Sequence, residues 1–264
     1  MNTHYSFEHL VEIMRKLRAP GGCPWDAEQT HESLTRYLLE ETYEVIEAID
    51  EKSPVHLKEE LGDLLLQPVF HAAIAEEADE FSIADVIDSL CNKLIRRHPH
   101  VFGDLEIHSS AQQIENWESI KQLEKGSERQ SALSGVPPHL PALLKAHKIS
   151  EKASRVGFDW DHADQVFAKV MEELHEFEEA WAGGNASRME DELGDLLFAI
   201  ANLGRFLSLN PEEALRKTIT RFQKRFSYVE EELLRREVPL KNATLEEMNI
   251  LWEQAKRIET HSKT

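Results

Sequence analysis

Cysteine is nearly absent from the 264 residues: Cys23 and Cys91 stand far apart and outside any Cys-x-x-Cys pair. That excludes a disulfide framework and a thiolate zinc site, and both are expected to be ordinary buried or half-buried thiols. No run of eighteen uncharged apolar residues occurs, so no segment is suited to crossing a bilayer and no membrane partner is expected. The opening stretch, Met1 to Arg18, mixes charges into a helical pattern of Phe7, Leu10, Val11, Met14 and Leu17. It lacks the form of a secretory signal, so a cytoplasmic protein is expected. Basic residues are few, 30 against 49 acids, for a formal net charge of −19. Such a surface repels nucleic-acid backbones, whose binding rests on phosphate neutralisation, and a polyanion can be held only by local cations. Glycine (11) and proline (10) cluster at a few places instead of punctuating the chain as they do in sandwiches and barrels.

What remains between those clusters has helical periodicity. Asn210-Pro211-Glu212-Glu213 offers a cap, a first-turn proline and first-turn acids; Ser53-Pro54 repeats the idea, and Thr244-x-x-Glu247 reads as a capping box. The spacing predicts an all-α chain. Its polar, then Gly- and Pro-rich midpoint, Glu124 to Pro141, is the expected linker, giving domains over 1–124 and 142–264 joined by 125–141.

The two halves carry the same landmarks in the same order. Glu40 to Glu44 (EETYE) answers Glu172 to Glu176 (EELHE), and ELGDLL from Glu60 answers ELGDLL from Glu192, both at an offset of 132. Trp25-Asp26 answers Trp160-Asp161, Lys93 and Arg97 answer Arg221 and Arg225, and Trp117-Glu118-x-x-Lys121 answers Trp252-Glu253-x-x-Lys256. One acid pair on a helix is ordinarily a solvated face. Two copies with identical spacing and shared leucines call for another explanation.

In each copy the acids fall three or four residues apart, on one helical face beside apolar residues that seek a core. About a dozen residues between the motifs favour an antiparallel hairpin that turns the acid faces toward each other. Clustered like charges require a compensating cation, and an all-oxygen set without thiolates points to Mg²⁺, with Mn²⁺ the alternative. Such a cluster suits phosphoanhydride substrates. The expected ligands are Glu173, Glu176, Glu192 and Asp195, with Glu41, Glu44, Glu60 and Asp63 the corresponding set of the first copy. Glu172 is the candidate for orienting or deprotonating the attacking water.

Lys169 stands one turn before the first acids and Arg188 one turn before Glu192, while Arg221, Arg225 and Lys256 follow on later helices; Trp252 is placed to stack a base. The first copy has Tyr37 in place of Lys169, His56 in place of Arg188, and Pro68 inside the helix where the second has Ile200. Without those two cations and with a helix-kinking proline, the first copy is expected to bind metal weakly or serve assembly, and the second to catalyse. His98-Pro99-His100 has no counterpart in the second half, so a structural or interface role is expected. Glu172-x-x-His175 has the spacing of a di-iron helix pair, but Tyr43 occupies the matching position of the first copy, so the pattern is not completed.

The doubled EExxE…ExxD motif, with the strings GGCPWDAEQTHESL, RRHPHVF from Arg96 and VGFDW from Val156, resembles the MazG nucleoside triphosphate pyrophosphohydrolases of the two-domain bacterial kind over nearly the whole chain. The resemblance implies two tandem four-helix-type domains, usually a homodimer. It implies Mg²⁺-dependent hydrolysis of NTPs or dNTPs to the monophosphate and pyrophosphate, in control of nucleotide pools. It implies nucleotide contacts from Lys169, Arg188, Arg221, Arg225, Trp252 and Lys256, with Arg188 and Arg221 standing where lysine is expected.

Overall fold

The computed structural model describes residues 4–106 and 131–261, together with 109, 112, 113, 116, 117 and 120. Residues 125–130 of the expected linker, and Glu118 and Lys121 of the repeated Trp motif, lie outside the described residues. Among the described residues there is no strand. The chain divides into two compact units between residues 126 and 127.

The first unit holds α1 (Phe7–Arg18), the short α2 (Pro24–Glu28), α3 (His31–Glu51), α4 (Pro54–Glu77), α5 (Ile83–Arg97) and the single turn α6 (Pro99–Phe102). Met14, Leu34, Val69, Phe70 and Ala73 form its core, bringing α1, α3 and α4 together. Arg18 fastens the far end of this bundle: its side chain is buried, donates to Glu77 at 2.7 and 2.8 Å and to the Asp26 carbonyl, and lies over the Phe70 ring. The proline within α4 does not end it, for the helix runs past exposed Pro68 to Glu77.

The second unit holds α7 (Ala142–Ser154), α8 (Ala163–Ala182), α9 (Ala186–Phe206), α10 (Pro211–Arg235), a 3₁₀ turn (Leu240–Asn242) and α11 (Leu245–His261). α8 and α9 form a long antiparallel pair, α7 packs on α9, and α10 with α11 forms a hairpin around Val229, Leu233 and Leu251. The capping signals act as read. Asn210 accepts from the Glu213 N–H at 3.2 Å, Ser53 from the His56 N–H at 3.3 Å, and Thr244 and Glu247 bond reciprocally.

The dozen residues expected to connect the acid motifs are mostly helix. Only Lys52 and Ser53 separate α3 from α4, and Gly183 to Asn185 separate α8 from α9. Each reversal uses one left-handed residue, Lys52 (φ 54°) or Gly184 (φ 66°), followed by a side-chain cap from Ser53 or Asn185.

One expectation about the thiols is corrected. Cys23 is half-buried, but Cys91 is exposed, because no residue of α5 is buried.

Candidate metal and phosphate site

The acids of the second unit differ sharply in exposure. Glu173, one turn after Lys169 on α8, is buried to 6% exposure, Glu176 is half-buried, and Glu172 faces water. On α9, Glu192 is half-buried and Asp195 exposed. Ligand oxygens of Glu173, Glu176 and Glu192 all lie within 4.8 Å of one another. Asp195, one turn beyond Glu192, borders this group without belonging to it.

Burial makes that proximity costly. The Glu173 Oε2 atom is buried without a hydrogen-bond partner, a condition that native structures rarely leave uncorrected. Desolvation pushes the Glu176 carboxyl up from its ordinary value, and repulsion from Glu192 and Glu173 adds to it. Part of the charge is met by Lys169, whose ammonium sits 2.6 Å from Glu172 Oε1 and 2.7 Å from Glu173 Oε1. Those bonds, the one to Glu172 first, hold it protonated well above the usual lysine range. Arg188 donates through Nε to Glu192 at 3.2 Å and lies 3.6 Å from Glu179, so it straps α9 to α8. Sequence comparison did not single out Glu179; its position three residues after Glu176 was the available signal.

The first unit repeats the arrangement with other members. Glu41, Glu60 and Asp63 place ligand oxygens within 4.8 Å, and exposed Glu44 shares a hydrogen bond with Glu41 beside them. Burial raises the Glu41 and Glu60 carboxyls first, and acidic neighbours add to both.

At Arg188's position the first copy carries His56. His56 Nε2 lies 2.9 Å from Glu60, the counterpart of Glu192, and Nδ1 lies 3.0 Å from Glu51, a different partner on α3 from the counterpart of Glu179. The bond to Glu51, with Glu60 and Glu47 nearby, raises the imidazole's pKa. Lys169 has no such substitute: Tyr37 stands there and its hydroxyl accepts from Arg36.

The other expected contacts gather elsewhere, on the α10–α11 hairpin. Arg225 donates twice to Glu259, at 2.7 and 3.0 Å, and lies over the Trp252 ring. Trp252 is half-buried, 4.9 Å from Phe222 between ring centres and packed on the Val229–Leu251 core. Arg221 donates to Thr218, and Lys256 pairs with Glu253 at 2.6 Å. The structure thus joins Lys169 and Arg188 to the acids and collects Arg221, Arg225, Trp252 and Lys256 into a second patch. His175 is exposed, lies beside Glu178 and Glu179, and is not a member of the converging group of Glu173, Glu176 and Glu192. His98 ends α5, bonds the Leu94 carbonyl and packs edge-on against Trp117.

Comparison with known proteins bears on the same elements. The MazG nucleotide pyrophosphohydrolase domain matches residues 29–102 and again 162–229, each stretch containing one acid hairpin. The chain is 52% identical over 250 residues to the Thermotoga maritima "Nucleoside triphosphate pyrophosphohydrolase/pyrophosphatase MazG", covering 95% of both proteins. It is 43% identical over 256 residues to the Escherichia coli K12 "Nucleoside triphosphate pyrophosphohydrolase", covering 96% of this chain and 97% of the relative. A crystal structure of a mazG-related protein from Thermotoga maritima aligns with 44% of the chain at 31% identity, with a TM-score of 0.38.

Proposed function

The chain belongs to the MazG nucleotide pyrophosphohydrolase family, and from that premise we propose that it hydrolyses nucleoside triphosphates to the monophosphate and pyrophosphate. Its working site is assigned to the second domain, residues 142–264, and its physiological task to control of the NTP or dNTP pool. The observation that carries the choice of domain is Lys169: an ammonium beside the buried carboxylate cluster, with no equivalent beside Glu41 and Glu60.

The residues fit a divalent cation. Glu173, Glu176 and Glu192 offer converging oxygens, Asp195 borders them, and the buried orphan Glu173 Oε2 supplies an unused acceptor. All donors are hard oxygens, which favours Mg²⁺ or Mn²⁺ over softer ions. When bound, such a cation neutralises phosphate oxygens and favours ionisation of a neighbouring water.

The chain's own groups do the rest. Lys169 exchanges carboxylate partners for a phosphate oxygen, and Arg188, on the opposite helix, steadies Glu192 and presents a second donor to the polyphosphate. Arg221, Arg225 and Lys256 form the second cationic patch for the nucleotide. Glu172, exposed beside the group, orients a water and accepts its proton. The water oxygen bonds to one phosphorus of the α–β bridge, the bridging P–O bond to that phosphorus breaks with its electrons going to the bridging oxygen, and the substrate divides into monophosphate and pyrophosphate.

Assembly as a homodimer belongs to this reading. The faces of both acid hairpins carry exposed apolar side chains, among them Leu61 and Leu65 in the first unit and Leu193 and Leu197 in the second, and α5 adds Ile87, Leu90 and Leu94. An isolated chain rarely leaves so much apolar surface in water.

The test is product analysis with several NTPs and Mg²⁺, alongside Glu173→Gln and Glu41→Gln. The expected products are the monophosphate and pyrophosphate, with at least a 100-fold loss in Glu173→Gln, on the scale of a lost electrostatic contact in a transition state. Nucleoside diphosphate and orthophosphate would overturn the chemistry. Loss in Glu41→Gln with Glu173→Gln active would overturn the choice of domain.

A further inference from the structure

The two acid hairpins differ at the end away from their turns. In the first unit, Lys52 and Ser53 close one end of the α3–α4 pair. At the other end His31, the first residue of α3, meets His71 of α4, with the two Nδ1 atoms 2.7 Å apart. The offset that relates the halves puts Ala163 and Leu203 at these positions in the second unit.

The rings are joined edge to edge. Their planes differ by 5° and their centres are 5.0 Å apart. Rings stacked face to face keep about 3.5 Å between their planes, so parallel rings with nitrogens at 2.7 Å lie close to a single plane, Nδ1 pointing at Nδ1. Two bare lone pairs would repel at that distance, and so would two N–H groups. One Nδ1 therefore carries a proton and the other accepts it.

That bond answers protons in two unequal steps. In the uncharged pair the donor ring is protonated on Nδ1 and the acceptor ring on Nε2. The first added proton goes to Nε2 of the donor, and the bond survives as a charge-assisted one. The second has only the accepting Nδ1 left to bind, which destroys the bond and sets two imidazolium rings side by side. His71 is the ring that resists charging: half-burial pushes its pKa down, and the charge on His31 pushes it further.

Among the described residues, His31 is the one charged group acting on His71. Charged groups on the packed elements are engaged elsewhere. Arg15 and Arg18 of α1 hold Glu76 and Glu77 of α4, and Asp85 of α5 caps its own helix through Ser82. Glu32, beside His31, faces water and is held ionised by the first-turn backbone N–H and by Thr30. Glu8, Glu12 and Lys16 of α1 and Asp88 of α5 are also exposed.

We propose that His31 and His71 form a one-proton latch, which holds the open end of the first unit's hairpin shut at neutral pH and releases it in mild acid. A histidine whose pKa is depressed by folding contributes fully above its unfolded value, near 6.5, and that contribution is lost as pH falls through 6.5 toward the folded value. Ala163 and Leu203 do not titrate, so the release is confined to the first unit.

Hydrogen exchange of the full chain, read by mass spectrometry at about pH 7.5 and about pH 5 and corrected for intrinsic rates, tests the latch. Protection of the amides of residues 35–38, at the start of α3, should fall on the order of tenfold in acid, the scale of one lost hydrogen bond. The matching amides of residues 167–170 in α8 should show no such fall. In protein labelled with ¹⁵N at histidine, a through-bond coupling between the two Nδ1 nuclei should be present at the higher pH and absent at the lower. The double variant His31→Ala with His71→Leu, which installs the second unit's pair, should lose the acid response of residues 35–38. Both wild-type readouts stand even where that variant does not fold. No Nδ1–Nδ1 coupling at neutral pH, unchanged protection of residues 35–38 in acid, or an equal fall in the folded double variant would overturn the latch.

Discussion

At the scale of single residues, the charges that matter are the ones taken out of water. Arg18 is the clearest case outside the site: a buried guanidinium held by Glu77, by the Asp26 carbonyl and by the face of Phe70. The Arg18 bonds lower the Glu77 carboxyl below its ordinary value. A group depressed in the folded state stabilises fully above its unfolded pKa, near 4.3, and loses that contribution as pH falls through the folded value. Glu77→Gln should therefore lower stability at neutral pH and flatten the acid limb of a melting-temperature-against-pH curve below about pH 5. Breaking a fully buried pair costs about 3–5 kcal/mol; about 1–2 is expected here, because Glu77 is half in water and Arg18 keeps other partners. An acid limb identical to wild type would refute the pairing.

The same scale marks the limit of what the sequence disclosed. Spacing alone found Glu173, Glu176 and Glu192, because helical periodicity places them. It could not find that His56 pairs with both Glu51 and Glu60, since that depends on which acids the fold sets beside it. Nor could it separate Asp195 from Glu192, which depends on exposure and side-chain direction.

At the scale of elements, the caps were legible because capping is local: Asn210, Ser53 and Thr244 each act on an N–H three residues away. The reversal between the acid helices was legible in direction and not in length. Helix continues nearly to the turn in both copies, and one left-handed residue suffices to reverse the chain. The copies solve that turn differently, with Gly184 in one and Lys52 at the matching position of the other. A Cβ added at Gly184 meets nothing within 4 Å, so any penalty there comes from the backbone alone. Gly184→Ala should cost about 1 kcal/mol, read as a lower unfolding midpoint in denaturant with unchanged slope. A neutral substitution would mean that the turn relaxes, and the Glu176–Glu192 register should then loosen with it.

At the scale of the whole molecule, the duplication sets two carboxylate clusters inside a chain that already carries a net charge of −19. In each cluster burial and mutual repulsion raise carboxyl pKa values, notably at Glu41, Glu60 and Glu176, so the ionised clusters oppose folding at neutral pH. A divalent cation that binds only the folded state offsets that strain, by about 2.7 kcal/mol when present at a hundred times its Kd. Mg²⁺ should accordingly raise the melting temperature by several degrees, while NaCl at matched ionic strength, acting only by screening, should raise it much less. The two units need not melt together, and the substitutions divide the effect between them. Glu173→Gln should abolish the Mg²⁺ shift of the second unit and leave that of the first, which Glu41, Glu60 and Asp63 sustain. If Mg²⁺ and NaCl act alike in wild type, the clusters are solvated acid faces, and the assignment of both as metal sites fails with them.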